Sequence, residues 1–380
     1  MKIVLSGVQT SNKGAELMLY AILQEIERKY PDATVYLPSS RIRQGKEYIK
    51  SNLDFRIIPF GGFMAMFHIS GILHRLHLPQ RIITKTNIVK KADWFIDGSG
   101  FAFGDQFRLT DTYVEMWEDV LKYAHSDGCK IVFLPQAFGP FERNSSKKIL
   151  SVLNRYANIL IPREQVSYDY LEKSGIVDMR KVRKYTDFTS LVEGEFPKGY
   201  EHLQSGICII PNIQMINKGV ISYPEYLNLL TSIIEETRKS GRPVYLLNHA
   251  GSKDAELCRK CKQDICGDIE AVTNLNALQV KGLIASAYMV VTSRFHGLAS
   301  ALNSCVPALA TSWSHKYEEL YKDYALDGFV LPIESLDLAI ARIQELLPEK
   351  ANLRIRQHLS LQVCKVREET NRMWEEIWRL

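Results

Sequence analysis

Short apolar runs closed by Gly, Pro, Asn or Asp alternate along this chain with longer stretches whose apolar positions recur at helical spacing. In the first half the runs are KIVLS (2–6), DWFID (93–97), KIVFL (130–134) and NILI (158–161). Strands buried on both faces of a parallel sheet read in this way, as continuous apolar runs. Amphipathic stretches at 14–30, 109–127, 145–157 and 164–174 separate them and predict helices. A second series opens near 205 with GICIIP, followed by a helix over 222–240 and then PVYLLN. It continues with a helix over 253–265, IEAVT, a helix over 276–287, YMVVT, a helix over 296–304 and VPALAT.

This alternation predicts an α/β protein: two doubly wound, Rossmann-like domains facing a cleft. The seam falls at EGEFPKGYEHLQS (193–205), which is polar and carries glycines and a proline. The expected domains are 1–195, on the acceptor side, and 200–350, binding the donor. Residues 351–380 are a helical segment, ending in TNRMWEEIWRL, that crosses back onto the first domain. Open sheets of this kind bind ligands beyond the carboxyl ends of their strands. The residues after each strand are therefore the candidates.

Composition narrows the classes. The chain has 380 residues, 46% hydrophobic and 24% charged, with a net charge of +5. That mild excess suits anionic partners such as phosphorylated substrates or an acidic membrane surface. It carries no Lys/Arg run or aromatic-basic motif of a nucleic-acid binder. The opening MKIVLSGVQT reads as a strand rather than a signal peptide. The apolar segment FGGFMAMFHISGILHRLHL (60–78) is interrupted by Arg75 and histidines, so it reads as a docking or buried helix rather than a span. With RIRQGKEYIK before it and RIITK after, it could rest on anionic lipid. Seven scattered cysteines fit a reducing, cytoplasmic setting. Cys258, Cys261 and Cys266 cluster without a fourth ligand, so they read as structural thiols and no metal is expected.

The strand ends carry the chemistry. After the first strand comes SNKGAELML, where Asn12 or Ser11 caps a helix, Lys13 follows and Gly14 permits close approach. It is neither a Walker A loop nor GxGxxG. GSGFAFGDQF places Asp105 where it either takes a hydroxyl proton or caps the next helix. Gln136 stands in PQAFGPF, beyond the KIVFL strand. Arg163 opens a helix in PREQVSYDYL, where the dipole disfavours a cation, so it is either functional or a surface partner of Glu164 or Asp169. In the second half, Asn248 and His249 end PVYLLN, Arg294 and His296 follow YMVVT, and His315 and Lys316 follow VPALAT. Arg294 and His296 converge only if they precede the first full helical turn, and Thr292 and Ser293 are suitable caps for that. A guanidinium beside an imidazole suits a small anionic substrate.

Taken in order, SNKGAELML, DGSGFAFGD, PQAFGPF, PREQVSYDYL, LLNHAG, TSRFHGLASAL and TSWSHKYEEL resemble the polysaccharide pyruvyl transferase family over roughly residues 1 to 330. The S-R-x-H-G element is the most specific of them. The resemblance implies a GT-B-like fold without metal or cofactor. It implies transfer of the enolpyruvyl carbons of phosphoenolpyruvate onto two hydroxyls of one sugar, giving a cyclic pyruvyl ketal. The products are exopolysaccharide, capsule or cell-wall glycans. The acceptor is a sugar or a lipid-linked oligosaccharide, reached at the inner face of the membrane by a cytoplasmic, peripherally attached enzyme.

On that resemblance Arg163, Arg294, His296, Asn248, His315 and Lys316 bind the donor. His296 is the first candidate acid and His249 the second, and Asp105 is the base near the acceptor. Asn12, Lys13, Gly14, Asp105 and Gln136 form the acceptor set. Arg294→Ala is expected to remove turnover and leave the fold intact. The rival readings are a GT-B-type glycosyltransferase using a nucleotide sugar and a non-enzymatic scaffold. The acidic stretch EELYKDYALD keeps the first of these open, although no Glu-x7-Glu signature accompanies it.

Overall fold

The computed structural model describes residues 1–38, 54–58, 91–107, 109–265, 269–311 and 316–380. The first series runs β1 (Lys2–Ser6), α1 (Lys13–Lys29), β2 (Thr34–Pro38), β3 (Asp54–Ile58), β4 (Trp94–Asp97) and β5 (Phe101–Phe103). It continues with α2 (Asp111–Ser126), β6 (Lys130–Phe138), α3 (Asn144–Tyr156), β7 (Ile159–Pro162) and α4 (Gln165–Lys173). The second series is β8 (Ile207–Ile210), α5 (Gln214–Asn217), α6 (Tyr223–Arg238), β9 (Val244–Leu247), α7 (Ser252–Asp264) and β10 (Glu270–Val272). After these come α8 (Ala277–Ala285), β11 (Met289–Thr292), α9 (Phe295–Asn303), β12 (Ala308–Ala310), α10 (Lys316–Asp323), α11 (Leu336–Leu346) and α12 (Glu349–Ile377).

Both sheets are parallel. The first has the order β3-β2-β1-β4-β6-β7, with β5 pairing the far end of β6. The second has the order β10-β9-β8-β11-β12. Each is the doubly wound pattern, reversing direction beside its first strand: between β1 and β4, and between β8 and β11. The apolar runs follow from this burial. Along β8, Ile207 and Ile209 face a core with Leu229 of α6, Leu257 of α7 and Ile343 of α11. Cys208 and Ile210 face the opposite core, with Leu283 of α8, Leu298 of α9 and Leu320 of α10. Successive side chains point to opposite faces, so a strand covered on both sides must be apolar throughout.

Two details depart from the sequence pattern. β6 runs on through Pro135 to Phe138, because its register with β7 shifts between Phe133 and Gln136 and its end then pairs with β5. Gln136 therefore lies inside a strand, fully buried, rather than at a strand end. Cys258 and Cys261 are core residues of α7, and burial pushes the Cys261 thiol up to about 11. Cys266 lies outside the described residues, as do His315 and the whole of 60–78 with its basic flanks. Among the described residues no helix is long and apolar enough to cross a membrane.

Contacts divide the chain into two units. One comprises Met1–Ser11, Met18–Phe188 and Glu369–Leu380, and the other Asn12–Leu17 with Thr189–Glu368. The polar stretch after Glu193 packs within the second unit, where Glu195 N–H donates to Leu278 O at 2.9 Å. α12 begins in the second unit, with Leu359 and Val363 in its core. From Glu369 it belongs to the first. There Trp374 is buried edge-on to Phe188, and Trp378 meets Tyr30 and Trp94 edge-on while its indole N–H donates to Glu25 at 2.8 Å. Trp374→Ala should destabilise the first unit by about 3–5 kcal/mol, since a large buried ring is lost without a neighbour to fill its volume. Denaturant unfolding of the full chain reads this. An unshifted first-unit transition would show that the C-terminal helix end is not part of that core.

Candidate functional site

The turn between β11 and α9 is held from four sides through Ser293. Its N–H donates to Ile210 O at 2.9 Å, and its carbonyl accepts from Asn212 Nδ2 and from Tyr317 Oη, each at 2.7 Å. Its hydroxyl bonds Tyr226 Oη at 2.7 Å and also Thr311 Oγ1. Thr292 Oγ1 accepts from the Arg294 N–H at 3.0 Å. The two residues expected to cap α9 thus direct their hydroxyls elsewhere. Arg294 is the N-cap residue instead, in extended conformation with φ −114° and ψ 128°. The backbone is still non-helical at Arg294, and His296 falls in the first turn.

Arg294 has a fixed partner. Its Nε and Nη2 both lie 2.6 Å from Asp254 Oδ2. Asp254 is in the first turn of α7, where the helix dipole favours a carboxylate, and it is 1% exposed. Ile213 N–H donates to its other oxygen at 3.3 Å. Arg294 keeps 19% of its side chain open to solvent. Removing the guanidinium would strand a buried charge, so the expectation that Arg294→Ala spares the fold is corrected by this pair.

His296 lies against the first turn of α1. A Cβ placed on Gly14 would meet His296 Nδ1 at 2.3 Å, so only glycine leaves room for the ring there. Asn12 Oδ1 accepts from the Gly14 N–H at 2.9 Å and caps this end of α1. Lys13 pairs with Glu16 at 2.9 Å. Burial pushes the Glu16 carboxyl above its usual range, with Lys13 and the Ala277 N–H opposing. His249 is buried at the end of β9, and its pKa is driven down to about 3, first by burial and then by His296, Arg294 and Lys13. Asn248 next to it holds the turn, accepting from Ala250 N–H at 3.1 Å and donating to Thr273 O at 3.3 Å. The second unit thus brings Lys13, Arg294 and His296 within electrostatic reach of His249, with the buried carboxylates Asp254 and Glu16 paired to Arg294 and Lys13. Sequence reasoning missed both carboxylates. The signals were there: Glu16 follows Lys13 at helical spacing, and Asp254 stands in the first turn after NHAGS.

The remaining candidates lie elsewhere or are otherwise engaged. Lys316 is the buried first residue of α10. Arg163, in the first unit, is not a surface residue. It is buried with Nε 3.4 Å from Glu164 and Nη1 3.8 Å from Asp187. Asp105 closes the loop before α3: its carboxylate accepts from Glu142 N–H at 2.7 Å, Arg143 N–H at 3.1 Å and the Ser146 hydroxyl. Burial would raise its pKa, but Ser146 and the two N–H groups together hold it below the usual carboxylate range. That engagement makes Asp105 a weak base, and the next helix, α2, is capped by Thr110 instead. Gln136 sits with Ser6 and Ser99 near Asp97, whose carboxyl is pushed up by full burial.

The model of the family described as polysaccharide pyruvyl transferase matches residues 12–315. The amylovoran biosynthesis protein AmsJ of Erwinia amylovora is 23% identical over 389 residues, covering 88% of this chain and 89% of that protein. Among solved structures, Anabaena Alr3699/HepE in complex with UDP-glucose aligns with a TM-score of 0.62 at 12% identity, over 99% of this chain and 100% of that one. The UDP-GlcNAc 2-epimerase from Neisseria meningitidis, bound to UDP-GlcNAc, has a TM-score of 0.62 at 9% identity over 100% of both chains. WaaG, a glycosyltransferase involved in lipopolysaccharide biosynthesis, has a TM-score of 0.55 at 12% identity over 99% of both. At such identities the structures speak for the fold alone, and that fold is GT-B-like with paired Rossmann-like sheets. The family match runs from the cap of α1 through the Arg294–His296 turn, and on that match the chain belongs to the polysaccharide pyruvyl transferase family.

Proposed function

We propose that this transferase of polysaccharide biosynthesis moves the enolpyruvyl carbons of phosphoenolpyruvate onto two hydroxyls of a glycan sugar. The observation that carries the reading is the basic cluster around His249: Lys13, Arg294 and the imidazole of His296, all in one unit and all acting on that buried ring. Phosphoenolpyruvate brings a carboxylate and a phosphate, and both need fixed cations. Arg294 is partly open and rigidly aimed, which suits it to this task, and Lys13 adds a second charge. On the family resemblance Arg163 and Lys316 also serve the donor. The acceptor, a sugar or lipid-linked oligosaccharide, rests on the same ground.

The steps balance as follows. An acid protonates the methylene carbon, and a sugar hydroxyl adds to C2, returning its proton to that acid. The C2–O bond to phosphate then breaks. A second hydroxyl adds to C2 and its proton leaves with the phosphate, giving the cyclic ketal and inorganic phosphate. His296 carries the proton in this scheme. His249 does not, because a group with a pKa of about 3 is neutral at working pH. Its neutral ring is left to orient the donor through a hydrogen bond. Asp105, tied to three donors, has no part in the proton transfers.

Phosphoenolpyruvate should raise the melting temperature of the full chain, and UDP-glucose should not. Stabilisation by the nucleotide sugar alone would overturn the reading in favour of a glycosyltransferase. With a competent acceptor, His296→Gln should slow phosphate release by about 100- to 10,000-fold while the shift by phosphoenolpyruvate persists.

Arg294→Ala should destabilise the second unit by about 3–5 kcal/mol, because Asp254 is left charged and unpaired. Adding Asp254→Asn to it should restore much of that stability and none of the phosphate release. Recovered release in the double variant would remove Arg294 from the reaction.

For His249 the sign is definite. Between its ordinary value of 6.5 and about 3 the unfolded chain binds a proton on this residue and the folded chain does not. Its contribution to stability is complete above 6.5 and is lost as the pH falls toward about 3. The Cε1 proton resonance of His249 should stay unmoved from neutral pH down to about pH 4.5. A titration step in that range would return His249 to the list of acids.

A further inference from the structure

Charge is segregated along α12. From Lys350 to Arg367 the helix carries Lys350, Arg354, Arg356, Lys365 and Arg367, and no Asp or Glu. From Glu368 onward it carries Glu368, Glu369, Glu375 and Glu376 against Arg372 and Arg379. The cations of the second part are paired, Arg372 with Glu369 at 3.9 Å and Arg379 with Glu375 at 3.3 Å. In the first part Arg356 is engaged inward, donating to the carbonyls of Ala287 and Tyr288 at 2.6 and 2.9 Å. Lys350, Arg354, Lys365 and Arg367 are exposed, and among the described residues none of them has an ion pair. A helix that needs only to stay in water intersperses both signs.

The same stretch exposes apolar surface. Leu359, Val363 and Val366 face the core of the second unit. On the other side, Lys350, Leu353, Arg354, Gln357, Leu361 and Lys365 recur at the spacing of one helical face. Leu353 is 49% exposed and Leu361 66%, about 12 Å apart along the axis at the helical rise. On one flank Arg354 shares the lining of a cavity with Asp327 and with Glu345, the latter paired with Arg342. The face is separate from the Arg294–His296 turn. Asn352 donates to Tyr288 O at 3.0 Å, so α12 starts beside the amino end of β11, and the turn follows its carboxyl end.

The occupant follows from the combination of unpaired cations and open leucines. A second copy of this chain docking the same face would set cation against cation. A nucleic acid would supply phosphates but would stack its bases on rings, and this face has none. The interface of an anionic bilayer takes both components: leucine side chains enter the acyl boundary, and long basic side chains reach the headgroup phosphates. We propose that the Lys350–Arg367 face of α12 docks the second unit on an anionic phospholipid surface. This does not rest on the transfer chemistry proposed above, and no residue of that chemistry is part of it.

Vesicle flotation of the full chain tests the assignment. The chain should float with phosphatidylcholine vesicles containing about one-third phosphatidylglycerol and not with phosphatidylcholine alone, and added salt should release it. One cation near such a leaflet changes partition by about fivefold, so Lys350→Gln with Lys365→Gln should lower it by about 25-fold. Leu353→Asn with Leu361→Asn should lower it by at least about tenfold at unchanged charge. Lys218→Gln with Arg238→Gln removes the same charge from exposed positions of the same unit off α12, and should leave partition within about twofold. All three pairs lie at exposed positions and should keep the melting temperature and the stabilisation by phosphoenolpyruvate.

No flotation with the anionic vesicles would overturn the proposal, as would equal flotation with the neutral ones. Flotation unchanged by the Lys350–Lys365 pair would place any membrane contact elsewhere in the chain and overturn it as well. An equal loss in the Lys218–Arg238 pair would reduce the effect to net charge. Flotation unchanged by the leucine pair would remove the bilayer as the occupant and leave a generic anion-binding face. Failure of phosphoenolpyruvate to stabilise a chain that floats as described sinks the transfer reading and leaves the docking face assigned.

Discussion

Asp254 is almost wholly buried in the first turn of α7, and a carboxylate in that position needs a counter-charge. Arg294 supplies it through two nitrogens on one oxygen. The arrangement of the basic turn follows from that pair. The guanidinium cannot swing away to solvent without leaving an unpaired charge behind, so its direction is fixed before any ligand arrives. With the backbone extended at Arg294 and helical from Phe295, the direction of His296 is fixed as well. Preorganisation of this kind is what makes a cation effective toward a developing or departing charge.

The same pair makes it physically tenable to place several cations close together. Lys13, Arg294 and two imidazoles facing one another would repel, and each further positive charge would be harder to add. Two buried carboxylates offset that repulsion, Asp254 against Arg294 and Glu16 against Lys13. Neither carboxylate is paired with His249, and burial and its positive neighbours keep that imidazole neutral. The cluster therefore sorts its members. Two side chains are held by carboxylates, while one buried imidazole stays uncharged and available as an ordinary hydrogen-bonding group.

Much of this was legible in the pattern of apolar residues. The parallel strands announced themselves as continuous runs because both faces of each sheet are covered, and α9 was visible through the small residues after His296. What escaped was whatever depends on a partner distant in sequence. TVYLP became β2 because β1 and β3 flank it, and nothing local demands that. Asp105 looked open from the glycines around it, yet its three donors come from residues 142, 143 and 146. Gln136 looked like a strand end because of the prolines beside it, but a register shift carried β6 further. Thr292 and Ser293 had the composition of caps, and only Tyr226, Thr311 and Asn212 explain why they are anchors.

The two sheets share one strand order and reverse at corresponding places, yet their reversal points have opposite chemistry. At the end of β11 the groups are ionic and paired. At the end of β1 they are hydroxyl, amide and aromatic, and the carboxylate of Asp97 beside them is fully buried and bonded to Ser99. Fold alone cannot produce this contrast, since both sites have the same origin in the doubly wound pattern. It comes from the few residues placed after each strand. The segment after β1 takes part at both strand ends, with Gln9 beside Ser6 and Ser99 in the lining of a cavity and, five positions later in the chain, Gly14 making room for His296.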